Sequence, residues 1–375
     1  MKKIGIIVEY NPLHNGHLIH LNKIREKTNA DIIIACMTSS FSSRGDLSIF
    51  DKFEKTRQAL EAKVDLIVEF PFVYSLERAD VFAKNAIDIL NLMQVDEIWI
   101  GSEENNIDLY EEAYLKYTDE FNLDDGKSLK KASIDVIPFK SNDVLGFFYF
   151  KRIVDKGYNI ELHTIKRELT NFLENIIHDE HIASSSAIRA NLELIDKFTP
   201  KYVSSSKDKI LDENKLFSFL KYKILSSTTD ELKEIFLVDE GLEYKLKKEI
   251  NSYDNKDDFI NSLVSKRYTK TRIKRMLSYI LFNITKKEIN MIQPIDINFI
   301  RVLGFNEIGR EYLRKIKKDV DIYTNIKEGI NMALDIELRI SKILDMIYNT
   351  NVFEQEQSKP KENDDFIKTK NVMEE

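Results

Sequence analysis

The amino-acid sequence predicts an α/β protein in which a Rossmann-like parallel sheet is followed by a mainly helical domain. Over the first hundred residues, short apolar runs alternate with amphipathic stretches, which is the pattern of parallel strands covered by helices on both faces. Beyond about residue 205, apolar residues keep a helical spacing, and glycine and proline are sparse. A chain of 375 residues, 43% hydrophobic and 32% charged, is long enough for two domains with cores of their own.

The predicted strands are short apolar runs, and the predicted helices lie between them. Strands are expected at residues 3–8, 31–37, 65–70, 97–100 and 159–165. Helices are expected at residues 18–27, 51–62, 79–92, 141–154 and 184–195, and serines suited to capping open the last two. Ligands of such sheets bind at the carboxyl ends of the strands, near the point where the strand order reverses. Residues 9–17 and Gly101 are therefore the first candidates for a ligand site.

The apolar runs, the single cysteine and the net charge indicate where the protein is found and what it can bind. No run approaches the roughly 18 apolar residues of a membrane helix, and Glu9 interrupts the N-terminal apolar run, which predicts a buried strand rather than a signal peptide. The single cysteine, Cys36, cannot form an internal disulfide and is expected to be buried. We expect a cytoplasmic protein. Because its net charge is −7, binding to nucleic acid would need a local basic patch.

The stretch EYNPLHNGHLIH, residues 9–20, holds three of the six histidines of the chain. Asn15 and Gly16 permit a tight turn, and Gly16 lets a ligand approach the backbone closely. The helix that follows begins with unpaired N–H groups and a positive dipole end, which favour phosphate. His14 and His17, three residues apart, can point the same way and donate hydrogen bonds to a phosphoryl oxygen as charge develops on it.

Two other interpretations of these histidines are open. They can serve only as caps of the helix. They can also belong to a zinc site, which would need a third and a fourth ligand. His20 is available, but no further Cys or His clusters nearby in the sequence. We therefore predict a phosphate site and no metal ligands.

A second motif, SSSAIR at residues 184–189, places three hydroxyl groups and one guanidinium at a predicted helix start. These groups suit a leaving pyrophosphate, because a guanidinium can bind two phosphate oxygens at once. Taken alone, such a stretch is more often a plain serine-capped helix. Its occurrence together with HNGH favours phosphate binding.

NPLHNGH and SSSAIR resemble the two signatures of the HxGH nucleotidyltransferase superfamily, which includes class I aminoacyl-tRNA synthetases and pantetheine-phosphate adenylyltransferases. Over roughly residues 1–350 the chain resembles one branch, the bacterial tRNA(Met) cytidine acetate ligase family. Leu13, the pair Ser39-Ser40 and the segment after Arg167 depart from the usual family pattern. The similar segments are GIIVEYNPLHNGH, FSSRGDLSIFDKFEKTRQAL, VDLIVEFPFVYS, IWIGSE, NDVLGFFYFKRI, TIKRE, SSSAIR, KRYTKTRIKRMLSYIL and RVLGFNEIGREYL.

The resemblance implies an ATP-dependent ligase. It would activate acetate as acetyl-adenylate and then acetylate N4 of the wobble cytidine, position 34, of elongator tRNA(Met), with Mg²⁺ expected beside ATP. His14 and His17 are the implied catalytic residues. The implied ATP-binding residues are Ile7, Val8, Glu9, Tyr10, Asn11, Pro12, Leu13, His14, Asn15, Gly16, His17, His20, Gly101, Asn142, Arg167, Ser184, Ser185, Ser186 and Arg189.

The resemblance also implies a division of labour along the chain. Residues 1–204 would form the nucleotidyltransferase-like, ATP-binding catalytic domain, and residues 205–353 a helical tRNA-binding domain. The tail, residues 354–375, is polar and expected to be disordered. In the second domain, one basic stretch with a tyrosine suits an RNA backbone, although such runs are often only a solvated helix face. Its basic residues are Lys266, Arg267, Lys270, Arg272, Lys274 and Arg275.

Two functions of other classes compete with the ligase. An adenylyltransferase acting on a small phosphorylated metabolite would need ATP but not the basic helical domain. A nucleotide-binding RNA-interaction protein would bind both ligands without catalysis. Acetate-dependent release of pyrophosphate from ATP separates the three.

Overall fold

The computed structural model of the protein describes residues 1–122, 139, 141–167 and 182–360. Its seven strands are β1 (Lys3–Val8), β2 (Ile32–Thr38), β3 (Leu66–Phe70), β4 (Glu97–Ser102), β5 (Glu161–Lys166), β6 (Phe299–Phe305) and β7 (Asp321–Tyr323). They form one sheet in the order β5-β4-β1-β2-β3-β6-β7. The strands β1 to β5 are parallel, whereas β6 is antiparallel to β3 and parallel to β7.

The helices of the first half are α1 (Asn15–Thr28), α2 (Lys52–Glu61), α3 (Phe72–Ser75), α4 (Ala79–Leu92), α5 (Asp108–Asn122), α6 (Ser141–Lys156), α7 (Ser185–Ala190), α8 (Ile195–Phe198) and α9 (Lys201–Ser204). Those of the second half are α10 (Glu213–Ser226), α11 (Thr229–Glu234), α12 (Leu242–Glu249), α13 (Lys256–Leu263), α14 (Lys270–Leu281), α15 (Lys286–Ile292), α16 (Glu307–Ile316), α17 (Met332–Tyr348) and α18 (Val352–Gln357). Short 3₁₀ turns lie at Leu192–Leu194, Lys207–Lys209 and Ile250–Ser252.

The two faces of the sheet carry separate apolar layers, because successive side chains of a strand point to opposite faces. Along β2, Ile33 and Met37 pack into the layer that covers α1 and α2. Ile34 and Cys36 pack into the opposite layer, which includes α4 and α6. All seven residues of β2 are buried, as expected for a central strand covered on both sides. The α/β fold class is confirmed.

The strand order reverses next to β1. The chain runs from β1 through β2 to β3 on one side and then returns to pair β4 with the other side of β1. A crevice therefore opens between the carboxyl ends of β1 and β4, where ligands of open parallel sheets bind. The loop after β1 and the residues around Gly101 meet there, as the sequence predicts.

The predicted helix at residues 184–195 is shorter in the structure. Helix α7 ends at Ala190, and Asn191 takes an extended conformation whose side chain caps the following 3₁₀ turn. Asparagine competes with helix continuation by offering its side chain to nearby backbone N–H groups. The other predicted helices of the first half are each found at or near their predicted bounds.

The prediction for residues 205–353 was incomplete, because this region also contains β6 and β7. Strand β6 adds to the edge of the sheet beside β3, with Val302 opposite Val68. The apolar run FIRVLGF has strand character, but Arg301 interrupts its pattern. The second half of the chain thus completes the sheet as well as supplying helices. The functional boundary at residue 204 stays a prediction.

The start of the predicted disordered tail is ordered. Helix α18 includes residues 354–357, and the side chain of Glu356 is fully buried. It pairs there with Lys52 and Arg301 in a closed cluster that also holds Glu69 and Glu337. The prediction failed because the local sequence is polar, whereas the partners of Glu356 lie far away in the chain. Residues 361–375 lie outside the described residues.

No helix in the described ranges is long and apolar enough to cross a membrane.

Candidate active site

A cavity of about 290 Å³ opens in the crevice between the carboxyl ends of β1 and β4. Its walls come from the loop after β1, the first two turns of α1, the loop after β2, and the ends of β4 and β5. The starts of α6 and α7 close the remaining sides. The HNGH and SSSAIR motifs, separated by nearly 170 residues in the sequence, therefore face one space.

The two histidines of the first motif form a capping box at the start of α1. His14 is the N-cap, and its Nδ1 accepts the backbone N–H of Gly16 at 3.1 Å. The Nδ1 of His17 accepts the backbone N–H of His14, also at 3.1 Å. Because both Nδ1 atoms are acceptors, a neutral ring must carry its proton on Nε2. The helix caps thereby orient two N–H donors whose residues line the cavity.

Burial keeps these imidazoles neutral. It lowers the pKa of His14 to about 3, with the charge of Arg167 acting in the same direction. It lowers the pKa of His17 well below its usual value, helped by His14, His20 and Arg167. Burial and Arg167 also lower the pKa of His20 to about 4. At neutral pH the site therefore offers uncharged donors, which gain strength as an anion approaches. Capping and phosphate binding are compatible roles for the same rings.

The second motif contacts the first directly. Arg189 donates from Nη1 to the backbone oxygen of Asn11 at 2.6 Å, and the Ser185 hydroxyl donates to the backbone oxygen of Pro12 at 3.3 Å. Ser184 caps α7 through its hydroxyl, which accepts the backbone N–H of Ala187. The positive end of α7 and the guanidinium thus meet the loop that carries the histidine pair, an arrangement suited to a polyphosphate.

A carboxylate network holds the opposite wall. Asp143 accepts hydrogen bonds from the Ser102 and Tyr110 hydroxyls and from the backbone N–H of Glu103. Burial raises the pKa of Asp143, but these hydrogen bonds outweigh it and lower the pKa overall. Asn142 donates to Glu103 Oε1 at 2.8 Å. This network fixes the turn that follows Gly101 on β4.

The structure brings most of the predicted site residues together. Of the described residues predicted to bind ATP, Pro12, Leu13 and Asn15 lie beside the cavity without lining it. Leu13 is fully buried in the apolar layer, and Asn15 is the first residue of α1. Those that line the cavity are Ile7, Val8, Glu9, Tyr10, Asn11, His14, Gly16, His17, His20, Gly101, Asn142, Arg167, Ser184, Ser185, Ser186 and Arg189.

The sequence prediction missed the loop after β2, which supplies Ser42, Ser43, Arg44 and Asp46 to the cavity. The similarity of FSSRGDLSIF to the family was the signal that could have identified it. The fully buried Lys55 anchors the base of this loop. Lys23, two turns after His17 on α1, is a further cation in the cavity wall that was missed.

Lys55 lies under the loop and donates to the backbone oxygens of Thr38 and Ser39 at 2.8 and 2.9 Å. Burial lowers its pKa to about 7, although Glu9 and two other carboxylates oppose this shift. The pair Ser39-Ser40 is buried and contributes backbone oxygens rather than side chains to the loop's hydrogen bonds. The departure from the family pattern at this pair therefore lies beneath the cavity, not in its wall.

An apolar wall was also missed. Phe82 of α4 and Leu145 and Tyr149 of α6 line the cavity from the face of the sheet opposite α1. Both Phe82 and Tyr149 are buried. Their spacing in the sequence resembles an ordinary core pattern, so no local signal distinguishes them.

The basic stretch does not form one free face. The Lys274 ammonium pairs with Asp46, and Arg275 Nε donates to the backbone oxygen of Ser43 at 2.8 Å. Both residues therefore hold the cavity loop, and Gly45 fits against them because a β-carbon there would lie 2.7 Å from the Arg275 nitrogen. Lys274 and Arg275 thus have partners in the cavity loop, and the assignment of the basic stretch to tRNA stays a prediction.

The other basic residues of the stretch lie nearer the solvent. Lys270 is 3.6 Å from Asp257, and Arg272 is 3.2 Å from Asp239. Arg267 pairs with Glu240 and stays 68% exposed. Lys266 is exposed, and no ion pair joins it to another described residue. These four cations remain candidates for contact with RNA.

In this protein the first strand of a parallel sheet leads into a helix start with two histidines. A second helix start, rich in serine and followed by an arginine, faces it. This combination defines the class of HIGH nucleotidyl transferases. The sequence model of the HIGH Nucleotidyl Transferase family matches residues 1–360. The curated relatives are more specific. The tRNA(Met) cytidine acetate ligase of Anoxybacillus flavithermus is 35% identical over 87% of this chain and 90% of its own. That of Staphylococcus carnosus is 33% identical over 92% and 95%.

Solved structures agree with this assignment. Apo TmcAL of Thermotoga maritima superposes with a TM-score of 0.82 at 26% identity, covering 96% of this chain and 97% of its own. The same enzyme bound with α-thio ATP gives a TM-score of 0.82 at 25% identity, covering 96% and 99%. The chain belongs to the tRNA(Met) cytidine acetate ligase family, and the resemblance predicted from its motifs is confirmed.

Proposed function

We propose that this protein activates acetate with ATP and transfers the acetyl group to N4 of the wobble cytidine, position 34, of elongator tRNA(Met). The observation that carries the proposal is the pair of neutral, oriented imidazoles of His14 and His17 facing Arg189 and the start of α7 across one cavity. Acetate as the acid and tRNA(Met) as the RNA are inferred from membership of the family. A substrate of this kind is found in the cytoplasm, where we expect the protein to act.

In the first step, a carboxylate oxygen of acetate attacks the α-phosphorus of ATP. The bond from that phosphorus to the bridging oxygen breaks, and pyrophosphate leaves with the electron pair. Charge builds on the non-bridging α-oxygens, where Nε2–H groups of His14 and His17 can donate without giving up a proton. Arg189 and the three hydroxyls of Ser184, Ser185 and Ser186 suit the departing pyrophosphate.

In the second step, the exocyclic amine of cytidine attacks the carbonyl carbon of acetyl-adenylate. The bond from this carbon to the phosphate oxygen breaks, AMP leaves, and the amine loses a proton. The amine lone pair is delocalised into the ring, so positioning must contribute much of the rate. The Cys36 thiol is fully buried and burial raises its pKa, which argues against an acyl-cysteine intermediate.

The donors around the cavity fit a Mg²⁺ ion that accompanies ATP. Two carboxylates, Glu9 and Asp46, are in the wall. Glu9 accepts the Ser43 backbone N–H, and Asp46 pairs with Lys274. Because both are partly occupied, a Mg²⁺ ion would take its ligands mainly from phosphate oxygens and water, as it commonly does. The ion would offset the charge of the triphosphate.

We propose that the solvent-facing cations of the basic stretch, Lys266, Arg267, Lys270 and Arg272, bind the tRNA backbone. Two of these cations precede α14, and the other two lie in its first turn. The next basic residues of the helix, Lys274 and Arg275, contact the cavity loop. RNA held on this helix would therefore lie close to the cavity mouth. The target base must be unstacked from its loop to reach the cavity. In this assignment residues 1–204 perform the chemistry and residues 205–353 bind RNA.

Release of pyrophosphate from ATP, measured with acetate and with or without tRNA(Met), tests the proposed function. Acetate-dependent release followed by N4-acetylation of the tRNA is expected. Release that requires a phosphorylated metabolite instead of acetate would indicate an adenylyltransferase. Binding of ATP and RNA without release would indicate a protein that lacks the catalytic step.

A further inference from the structure

The apolar wall of the cavity contains one polar atom, the hydroxyl of Tyr149. This side chain is 5% exposed and lines the cavity, as do Phe82, 3% exposed, and Leu145. Burial raises the pKa of this phenol, and its proximity to Cys36 and Glu9 raises it further. The wall thus stands beside the carboxyl ends of β1 and β2, next to the loop that leads to His14.

No hydrogen bond joins the Tyr149 hydroxyl to another residue that the structure describes. A buried phenol usually finds a partner, since an unsatisfied buried donor is costly. Tyr110, a tyrosine of comparable burial nearby, donates to Asp143. A hydroxyl that has no protein partner, on a side chain that is 5% exposed and lines a cavity, is suited to a ligand.

The surroundings of this donor indicate the kind of ligand. Phe82 and Leu145 offer only carbon atoms to the space beside the hydroxyl, and Phe82 is held in place by Phe70, with ring centroids 4.8 Å apart. Phosphates would be poorly accommodated against such carbon surfaces. A short apolar group attached to one hydrogen-bond acceptor fits them, and an acetyl group has this composition.

We propose that Tyr149, Phe82 and Leu145 form the acetyl subsite, in which the phenol donates a hydrogen bond to the acyl oxygen that remains a carbonyl and the two apolar side chains contact the methyl group. This inference rests on the proposed function and adds to it the residues that select the acid. The other carboxylate oxygen of acetate then faces the α-phosphorus. One hydrogen bond orients the nucleophile for the first step.

The same hydrogen bond serves the second step. When the cytidine amine adds to the carbonyl carbon, the electron pair of the C=O bond moves onto this oxygen, and it returns when AMP leaves. Tyr149 stabilises the transient oxyanion as a neutral donor. The phenol keeps its proton throughout, because burial raises its pKa well above the usual value.

Two variants test the subsite. Tyr149→Phe keeps the ring and removes only the donor, and we expect kcat/KM for acetate in ATP–pyrophosphate exchange to fall about 10- to 100-fold. Acetyl transfer to tRNA from chemically prepared acetyl-adenylate is expected to slow by a similar factor.

Leu145→Ala enlarges the methyl pocket, and the ratio of kcat/KM for propionate to that for acetate is expected to rise about tenfold or more. Affinity for α-thio ATP should stay within twofold in both, and thermal unfolding verifies folding.

The results distinguish failure of the acetyl subsite from failure of the proposed function. If the wild-type protein shows exchange with acetate, but Tyr149→Phe keeps the wild-type kcat/KM and Leu145→Ala keeps the wild-type preference, the acetyl subsite is wrong and the proposed function stands. Loss of α-thio ATP affinity in Tyr149→Phe would assign this residue to the nucleotide and overturn the subsite. If the wild-type protein itself shows no exchange with acetate, the proposed function fails and the subsite fails with it.

Discussion

The imidazole rings of His14 and His17 stack with their centroids 3.8 Å apart, and each ring accepts a backbone N–H at Nδ1. The start of α1 therefore sets the tautomer and the orientation of both rings before any ligand binds. Pre-organised donors of this kind stabilise developing charge without reorganising during the reaction. The stacking also lets either ring support the position of the other.

Removing one ring is expected to slow adenylate formation. His14→Asn and His17→Gln should each lower the rate of acetate-dependent ATP–pyrophosphate exchange about 100-fold, the usual cost of one lost transition-state donor. Asn at the N-cap and Gln three residues later preserve a capping box, so stability should change little. By contrast, His14→Ala should also lose about 1 kcal/mol of unfolding free energy. Near-wild-type exchange in His14→Asn would exclude His14 from the chemistry.

Acid should destabilise the protein partly through these histidines. Burial lowers the pKa of both His14 and His17 in the folded state, whereas in the unfolded chain it is about 6.5. Below pH 6.5 the unfolded chain therefore binds protons that the folded chain excludes, and stability falls as the pH falls. Between pH 7.5 and 5.0, urea unfolding should show a loss larger by about 1 kcal/mol or more than in the His14→Asn/His17→Gln variant. Equal losses would contradict burial of neutral rings.

The exposed cations before and on α14 should bind tRNA through phosphates. Lys266→Glu with Lys270→Glu is expected to weaken tRNA(Met) binding most at low salt and to reduce the salt dependence by about one phosphate contact per residue. ATP–pyrophosphate exchange without tRNA should not change. Filter binding at two salt concentrations measures the effect.

A charge-matched control is available at the end of α16 and just after it. Lys315 on α16 and Lys318 just after it are exposed. Helix α16 and its cap contact Asp65 and Met93, which precede β3 and β4 at the amino ends of the strands, away from the cavity. Lys315→Glu with Lys318→Glu should leave tRNA affinity nearly unchanged. Equal weakening in both double variants would mean that net charge, rather than the surface around α14, governs binding.

Lys274 should act on the first step rather than on RNA. Its ammonium pairs with Asp46 in the cavity loop, so Lys274→Met should displace that loop and lower exchange about tenfold in the absence of tRNA. Asp46→Asn should have a similar effect, and the double variant should be no worse than either single one, since both remove the same contact. Lys342→Met, which removes an exposed pair with Glu328, serves as the control. Additive effects would contradict a shared role.

Helix α18 should be essential for folding stability. Glu356 is fully buried and pairs with Lys52 and with Arg301 at 3.0 Å. Glu356→Ala leaves these cations short of one buried partner, which is expected to cost about 3–5 kcal/mol of unfolding free energy. Glu354→Ala, on the exposed side of the same helix, should cost less than about 0.5 kcal/mol. Similar denaturant midpoints for the two variants would show that the buried cluster contributes little.

Sequence reasoning was most successful where structure depends on near neighbours. The strands β1 to β5 and the helices between them follow from apolar periodicity, and the histidine cap follows from residues within one turn of His14. Two motifs on an α/β pattern predicted the nucleotidyltransferase superfamily, and further similar segments over residues 1–350 predicted the family. The strand pattern also predicted that residues 9–17 and Gly101 would meet, because both lie at the carboxyl ends of parallel strands.

Tertiary structure decided what depends on distant partners. From the sequence, Glu356 belongs to a polar tail, but in the structure it is buried between Lys52 and Arg301. Similarly, β6 is a strand of the sheet only because it pairs with the free edge of β3. Lys274 and Lys270 are alike in sequence, yet one holds the cavity loop and the other faces the solvent. The sequence also could not show that Tyr149 lines the cavity. Helical periodicity predicts which face of a helix is buried, but not whether that face packs against protein or borders a cavity. Local patterns determine which elements form, whereas burial, pairing and the lining of a cavity depend on contacts between residues far apart in the chain.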